Sequence, residues 1–416
     1  MKRRLLPILM TLVLGCALPI WAAFVTSGDV TNPLVCTAGA AELNLQGMID
    51  RANAGDTIKL SSNTEIAATL QITKNLTLDL NGCVLRMRGT GSVLKVSERA
   101  TLTITDSSAA KSGTITGGNA EDGGGVYVEA HATLEMTGGC ITGCRAEDGG
   151  GVYIDNNATL KMTGGCITDC HASYGGGGIY SYENLYMGGT AKIEKCTSKW
   201  GSDDAIWNRE RCNIYADGGT VDGTVNNQGT IRRSEGAAAE TVFNGTVYNR
   251  SAGTIIAGIY NETVENNGTI TGGTFWGTVT NKKSAWGNEA GTISGGTFAV
   301  RFDTGDGTKP EPTPVEHNRT VLRPTSDPEK SGHTFVGWYL GDALYDFNTP
   351  VTAPLTLTAR WEEVPSSGGN YYYHPTTDTK ADDTKGSPKT ADPGVALYGA
   401  LALLSLTGLT CTAKKR

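Results

Sequence analysis

The chain has 416 residues, 56 of them glycine, only 19% charged, with a formal net charge of −7. Such glycine content suits a turn-rich β structure and argues against simple disorder. The acidic balance excludes a nucleic-acid partner, which needs a basic footprint.

Residues 1–23, MKRRLLPILMTLVLGCALPIWAA, read as a secretory signal peptide: a basic start, an apolar run and small residues at Ala22–Ala23. Val13–Cys16 fits a lipoprotein box poorly, because of Leu14. Residues 41–53 place Leu45, Met48, Ile49 and Ala52 at helical spacing, with Gly55 as a stop signal. This amphipathic helix is expected over the open end of whatever follows, hiding core and blocking edge pairing. Short strands follow at 56–60, 69–73, 76–81, 93–96 and 101–105, so 24–116 forms a cap and first coils.

Residues 117–217 carry the plainest signal. EDGGGVYVEAHATLEMTGGCITGCRA (121–146) is followed by EDGGGVYIDNNATLKMTGGCITDCHA (147–172), and a degraded copy starts at Ser173. A 26-residue unit cannot bury a core alone, so units must stack. Apolar residues alternate with polar ones, as at Val126–Val128 and Leu134–Met136, and glycines mark the corners. That describes coils of a parallel β-helix, in which each position becomes a ladder with steps of about 4.8 Å. Val126, Val152, Ile179 and Ile206 are the inward ladder. Tyr127, Tyr153, Tyr180 and Trp207 follow them as an outward aromatic stripe.

Cys144, Cys170 and Cys196 make a ladder at a turn position where such coils often hold Asn. Cys140 and Cys166 make a second, two-membered ladder. It reads as a disulfide or as stacked free thiols, and the expectation falls on free thiols.

Between 218 and 298 the repeat loosens, but Gly-Thr-Ile recurs at 229, 253, 268 and 291, and Gly-Gly-Thr-Phe at 272 and 295. An irregular β-helix continues there, giving about ten coils and a rod of about 50 Å. The early stretches AGDTIKL, LTLDLNG and LTITDS resemble the first coils of right-handed β-helix surface proteins of the pectin-lyase type.

Composition changes at Ala299. Gly332–Tyr339 (GHTFVGWY), Tyr345–Phe347, Pro350–Val351 and Leu355–Trp361 closely resemble the Listeria–Bacteroides (internalin B-type) repeat. The resemblance covers 299–362 and implies a small β-grasp-like module of bacterial surface proteins, with Phe335, Trp338 and Trp361 in its core. Residues 363–390 are a polar spacer. Residues 391–416, with the apolar run 395–412 and a Lys414–Arg416 tail, form a transmembrane segment long enough to span a bilayer. With Ser387–Ala391 (SPKTA) in front, this end resembles the cell-wall sorting signal of Gram-positive surface proteins. That implies cleavage between Thr390 and Ala391, with a sortase and peptidoglycan as partners. Ser387 and Ala391 depart from the Leu-Pro-x-Thr-Gly pattern. Loss of both terminal signals leaves 29 basic against 41 acidic residues, a net charge near −12.

The fold class expected is therefore all-β: a right-handed parallel β-helix with a capping helix, then the module, then a C-terminal anchor. For chemistry, Glu121, Asp122, Glu147 and Asp148 could gather on adjacent coils as a Ca²⁺ site. The ladder then fails at Ser173 and Tyr174, and a solvated turn is the simpler reading. No other cofactor is expected. Asp203 and Asp204 are the least explained acids. The five histidines are scattered, and no CxxC pair supports zinc. The aromatic stripe could stack on sugar rings or on itself. The reading is a surface-anchored, exported, non-enzymatic adhesin for a glycan or protein ligand. The rival is a β-helix polysaccharide lyase or glycoside hydrolase. A groove with three or more converging charges would favour the rival, and a flat repetitive face would favour binding.

Overall fold

A computed structural model describes residues 44–199, 204–283, 290–308 and 310–364, and the backbone of the strand Leu34–Cys36. The chain divides into a unit ending at Val364 and a unit 365–416. The expected signal peptide with Cys16, residues 365–390 of the expected spacer with its Thr390, Ala391 and the segment 395–412 lie outside the described residues, as does Asp203. Among the described residues no helix is long and apolar enough to cross a membrane.

The first unit is a stack of parallel coils. One face is a sheet of ten strands, one from each coil, from Leu70–Ile72 to Val279–Asn281. A larger sheet takes up to two strands per coil, and a three-stranded sheet (Arg145–Asp148, His171–Gly175, Thr197–Ser198) adds a third face to three coils only. The inward ladder of the ten-stranded sheet runs Leu70, Leu94, Val126, Val152, Ile179, Ile206, Val225, Val247, Val264, Val279. All but the last are buried. Period-two alternation is what puts one apolar residue per step inside.

The steps of that ladder are unequal. They are 26, 27 and 27 residues from Val126 to Ile206, then 19, 22, 17 and 15 to Val279. As coils shorten they enclose fewer side chains, and the interior turns aromatic to stay filled. Phe243, Tyr260, Phe275 and Phe298 stack in line, with centroids 5.0, 4.9 and 5.5 Å apart.

Five successive strands of the ten-stranded sheet end on an asparagine. Asn208, Asn227, Asn249 and Asn266 each donate from Nδ2 to the Oδ1 of the next, ending at Asn281, at 2.8, 2.8, 2.7 and 2.8 Å. The asparagine ladder therefore lies in the short coils, at a position distinct from Cys144, Cys170 and Cys196. Those three thiols are buried in the core, each against the carbonyl two residues earlier. Cys140 and Cys166 are bridged, with Cα atoms 4.5 Å apart. The expectation of free thiols is overturned there: an in-register parallel pair sets the two Cβ atoms side by side, within disulfide reach.

The helix Leu45–Arg51 closes the upper end. Asn44 caps it, accepting from the Gly47 N–H at 2.9 Å. Leu45, Ile49 and Ala52 are buried. Gln46 accepts from the Gln71 N–H (2.8 Å) and donates to its carbonyl (3.2 Å). One side chain thus stands in for a strand above the first strand of the ten-stranded sheet, satisfying edge groups that would otherwise template pairing.

At the lower end the strand Thr297–Asp303 belongs to two structures. Thr297 and Phe298 pair in parallel with Thr274 and Phe275 of the last coil, while Val300–Asp303 pair in parallel with Leu355–Thr358. The compositional change at Ala299 falls inside this strand. Thr313–Glu316 flanks it on one side, and His333–Leu340 flanks Leu355–Glu363 on the other, both antiparallel. First and last strands side by side and parallel suit the β-grasp-like expectation, though no helix crosses the sheet among the described residues. Trp338 is buried, and Phe335 and Trp361 pack against it or its neighbours edge to face.

Candidate functional site

The outward side chains of the ten-stranded sheet follow from the same alternation. In order they are Gln71, Lys95, Tyr127, Tyr153, Tyr180, Trp207, Asn226, Tyr248, Glu265 and Thr280. The expected stripe is therefore one ladder, but it does not project. Tyr127, Tyr153 and Trp207 are half-buried and Tyr180 is only 6% exposed. Tyr153 and Tyr180 lie parallel at 5.7 Å, and Tyr180 and Trp207 nearly so at 6.3 Å. Tyr182, missed in the sequence, leans on Tyr153 and Tyr180 at 5.8 and 5.5 Å. Between coils, the ring faces that a sugar would need are covered by neighbouring rings, while the upper side of Tyr127 has Lys95 beside it instead of a ring.

The polar ends of the rings are also engaged. Tyr127 donates to Asp155 at 3.1 Å, and Arg209 donates to the Tyr180 oxygen at 3.0 Å while lying 4.9 Å from the Tyr182 centroid. Burial, then the Asp148 carboxylate, pushes the Tyr180 hydroxyl up to about 12. The Trp207 Nε1–H is buried with no acceptor among the described residues.

The four acids proposed for Ca²⁺ sit beside this stripe. Asp122 and Asp148 pair across adjacent coils, while Glu121 and Glu147 are exposed. A bulge after Ala146 aligns Asp148 with Gly175, not with Tyr174, and Asp148 accepts the Gly175 N–H at 3.2 Å. Among the described residues no three His, Cys, Asp or Glu side chains are gathered closely enough to hold a metal ion. Burial, then Asp148, raises the Asp122 carboxyl to about 6. Asp204 is buried, accepts from Gly176 N–H (3.0 Å) and Asn226 Nδ2 (3.4 Å), and is raised by that burial. It is a structural acid at the foot of the stripe.

One open cleft of about 620 Å³ lies at the upper end of the stripe. Gln71, Lys95 and Tyr127 line it, with Ser92, Asn119, Glu121 and Asp122. Gly91 and Asn119 exchange backbone hydrogen bonds of 2.7 and 3.0 Å, and Ser92 Oγ donates to the Asp122 carbonyl at 3.1 Å. Gly91 takes φ +108°, and a Cβ there would stand 2.7 Å from Thr69 Oγ1, so the wall depends on glycine. Lys95 is paired with Glu129 at 3.2 Å and stands 5.3 Å from the Tyr127 centroid. Nothing in the repeat pattern marked this cleft, because Gln71, Lys95 and the 119–122 wall belong to coils of unequal length.

A model of the Listeria-Bacteroides repeat domain matches residues 298–360, which is 63 of the 416 residues. Two proteins of Evansella cellulosilytica, described as membrane proteins and one of them as Gly-rich, are 35% and 38% identical to this chain over 69 residues. Those matches cover 16% of this chain and 8% and 10% of the relatives, so the chain spans a tenth or less of their length. No solved structure matches.

Proposed function

We propose that this chain is an exported, surface-displayed interaction protein, a non-enzymatic adhesin whose coil stack is held out from the cell by a C-terminal anchor. The observation that carries the reading is the stripe: its aromatic side chains repeat along a ladder, one per coil from Tyr127 to Trp207, whereas catalysis needs different groups at one reacting centre. The Listeria-Bacteroides match and the membrane-protein relatives support display at a surface. Sortase cleavage after Thr390 and attachment to peptidoglycan belong to this reading. So does a membrane segment at 395–412.

The test is adhesion. Beads coated with the full chain are scored for retention on bacterial and host-cell layers, with and without Ca²⁺. Retention no greater than that of albumin-coated beads sinks the reading. A specific observation favours the rival lyase or hydrolase: Lys95, Glu121 and Asp122 line one cleft, with the Asp122 carboxyl near 6. Depolymerisation of a polysaccharide by the full chain, abolished by Asp122→Asn, would establish that rival.

A further inference from the structure

The cleft above Tyr127 differs from the rest of the surface. Below it, ring lies on ring; above it, the outward ladder passes to Lys95, whose ammonium stands 5.3 Å from the Tyr127 centroid, and to Gln71, and the space beside them is open. Tyr127 is thus the stripe member that borders the cleft. The floor is Gln71, Lys95 and Tyr127, and the wall carries Ser92, Asn119 and Asp122. The lining has amide, hydroxyl and carboxylate groups beside an aromatic ring and no aliphatic side chain larger than Ala120. That composition fits neither a lipid nor an apolar peptide. It fits a ligand dense in hydroxyls that can use one ring for its C–H face. Charge narrows the class. Asp122 and Glu121 face the cleft, and the Lys95 ammonium is already paired with Glu129, so a polyanion meets net repulsion.

We propose that this cleft binds a neutral glycan chain, with Gln71 and Asn119 hydrogen-bonding its hydroxyls, Tyr127 beneath a sugar ring, and Asp122 and Glu121 rejecting uronate-bearing chains. The proposal rests on the interaction-protein reading and places its ligand at the end of the stripe, not along it.

The experiment is calorimetric titration of the full chain with laminarihexaose, mannohexaose and chitohexaose, and with an oligogalacturonate of the same length. The expected result is saturable binding of at least one neutral hexasaccharide and none of the oligogalacturonate. Gln71→Ala and Tyr127→Ala each weaken binding about tenfold or more, while Tyr127→Phe and the remote Tyr186→Ala do not. Tyr127→Phe keeps the ring and Gln71 is exposed, so these variants separate loss of contact from loss of fold. Binding unchanged in both Gln71→Ala and Tyr127→Ala overturns the proposal, as does a preference for the oligogalacturonate or no saturable binding of any neutral chain. Bead retention on cells that persists in those cases leaves the adhesin reading standing while this site falls.

Discussion

Tyr153 and Tyr180 lie parallel, 5.7 Å between centroids and 3° between planes, on adjacent coils. Each ring therefore serves as a wall for the next, and the stripe stabilises the coils that display it. Tyr180→Ala should cost about 3–5 kcal/mol, the range for removing a buried aromatic side chain. Tyr180→Phe, which gives up only the Arg209 hydrogen bond, should cost about 1 kcal/mol. Urea unfolding followed by tyrosine fluorescence measures both. Equal and negligible costs would show the stack to be ornamental.

The amide ladder makes a sharper prediction. Asn249→Ala leaves one hydrogen of the Asn227 Nδ2 without its acceptor, the other keeping the Thr254 carbonyl at 3.4 Å, and leaves the Asn266 oxygen without its donor, both residues being buried. A loss of about 2–3 kcal/mol follows from stranding two buried polar groups. Asn261 makes a similar bond to Asn244 on the exposed side, and Asn261→Ala should stay within about 0.5 kcal/mol. Thermal melting of the pair is the comparison; similar shifts would refute the distinction.

Asp122 is held above the ordinary carboxylate range, at about 6, by burial and by Asp148. A raised native value means the folded state favours the protonated form. The penalty is therefore full above about pH 6 and fades as pH falls toward the unfolded value of about 4. Asp122→Asn should stabilise by about 1 kcal/mol at pH 7.5, reduced from the bare shift by solvent screening of a half-exposed group, and by nearly nothing at pH 4. Melting curves at the two pH values decide it; a gain that grows on acidification contradicts the assignment.

The Cys140–Cys166 bridge closes a 26-residue loop. Loop-closure entropy for that length corresponds to about 3 kcal/mol. The double variant Cys140→Ser, Cys166→Ser should lose stability of that order and become indifferent to reductant. Non-reducing peptide mass mapping should recover the two cysteines linked; recovery of both as free thiols would remove the bridge from the account.

The fold was most legible where coils are equal. Val126, Val152 and Ile179 fall into one inward ladder because 26 and 27 residues bring the same position round again. The capping helix was legible for a similar local reason, as its four apolar residues repeat at helical spacing. The asparagine ladder was not: Asn208, Asn227, Asn249, Asn266 and Asn281 are separated by unequal steps, so no period exposes them. Register was also lost at the bulge after Ala146, where counting residues paired Asp148 with Tyr174. Of the candidate site, the ring identities could be read in advance but not their burial. Whether a ring faces solvent or its neighbour depends on side-chain tilt, which sequence spacing does not carry. The cleft at Tyr127 arises from what two loops leave open.

The shared strand Thr297–Asp303 has a mechanical consequence. It enters from the rod at its N-terminal end, and its parallel partner Leu355–Glu363 leaves toward residue 364 at its C-terminal end. Tension applied between rod and residue 364 pulls the two strands from opposite ends. The backbone bonds joining Val300–Asp303 to Leu355–Thr358 are then loaded together in shear instead of opening one after another like a zip. The joint between coil stack and module therefore resists such tension with all of those bonds at once.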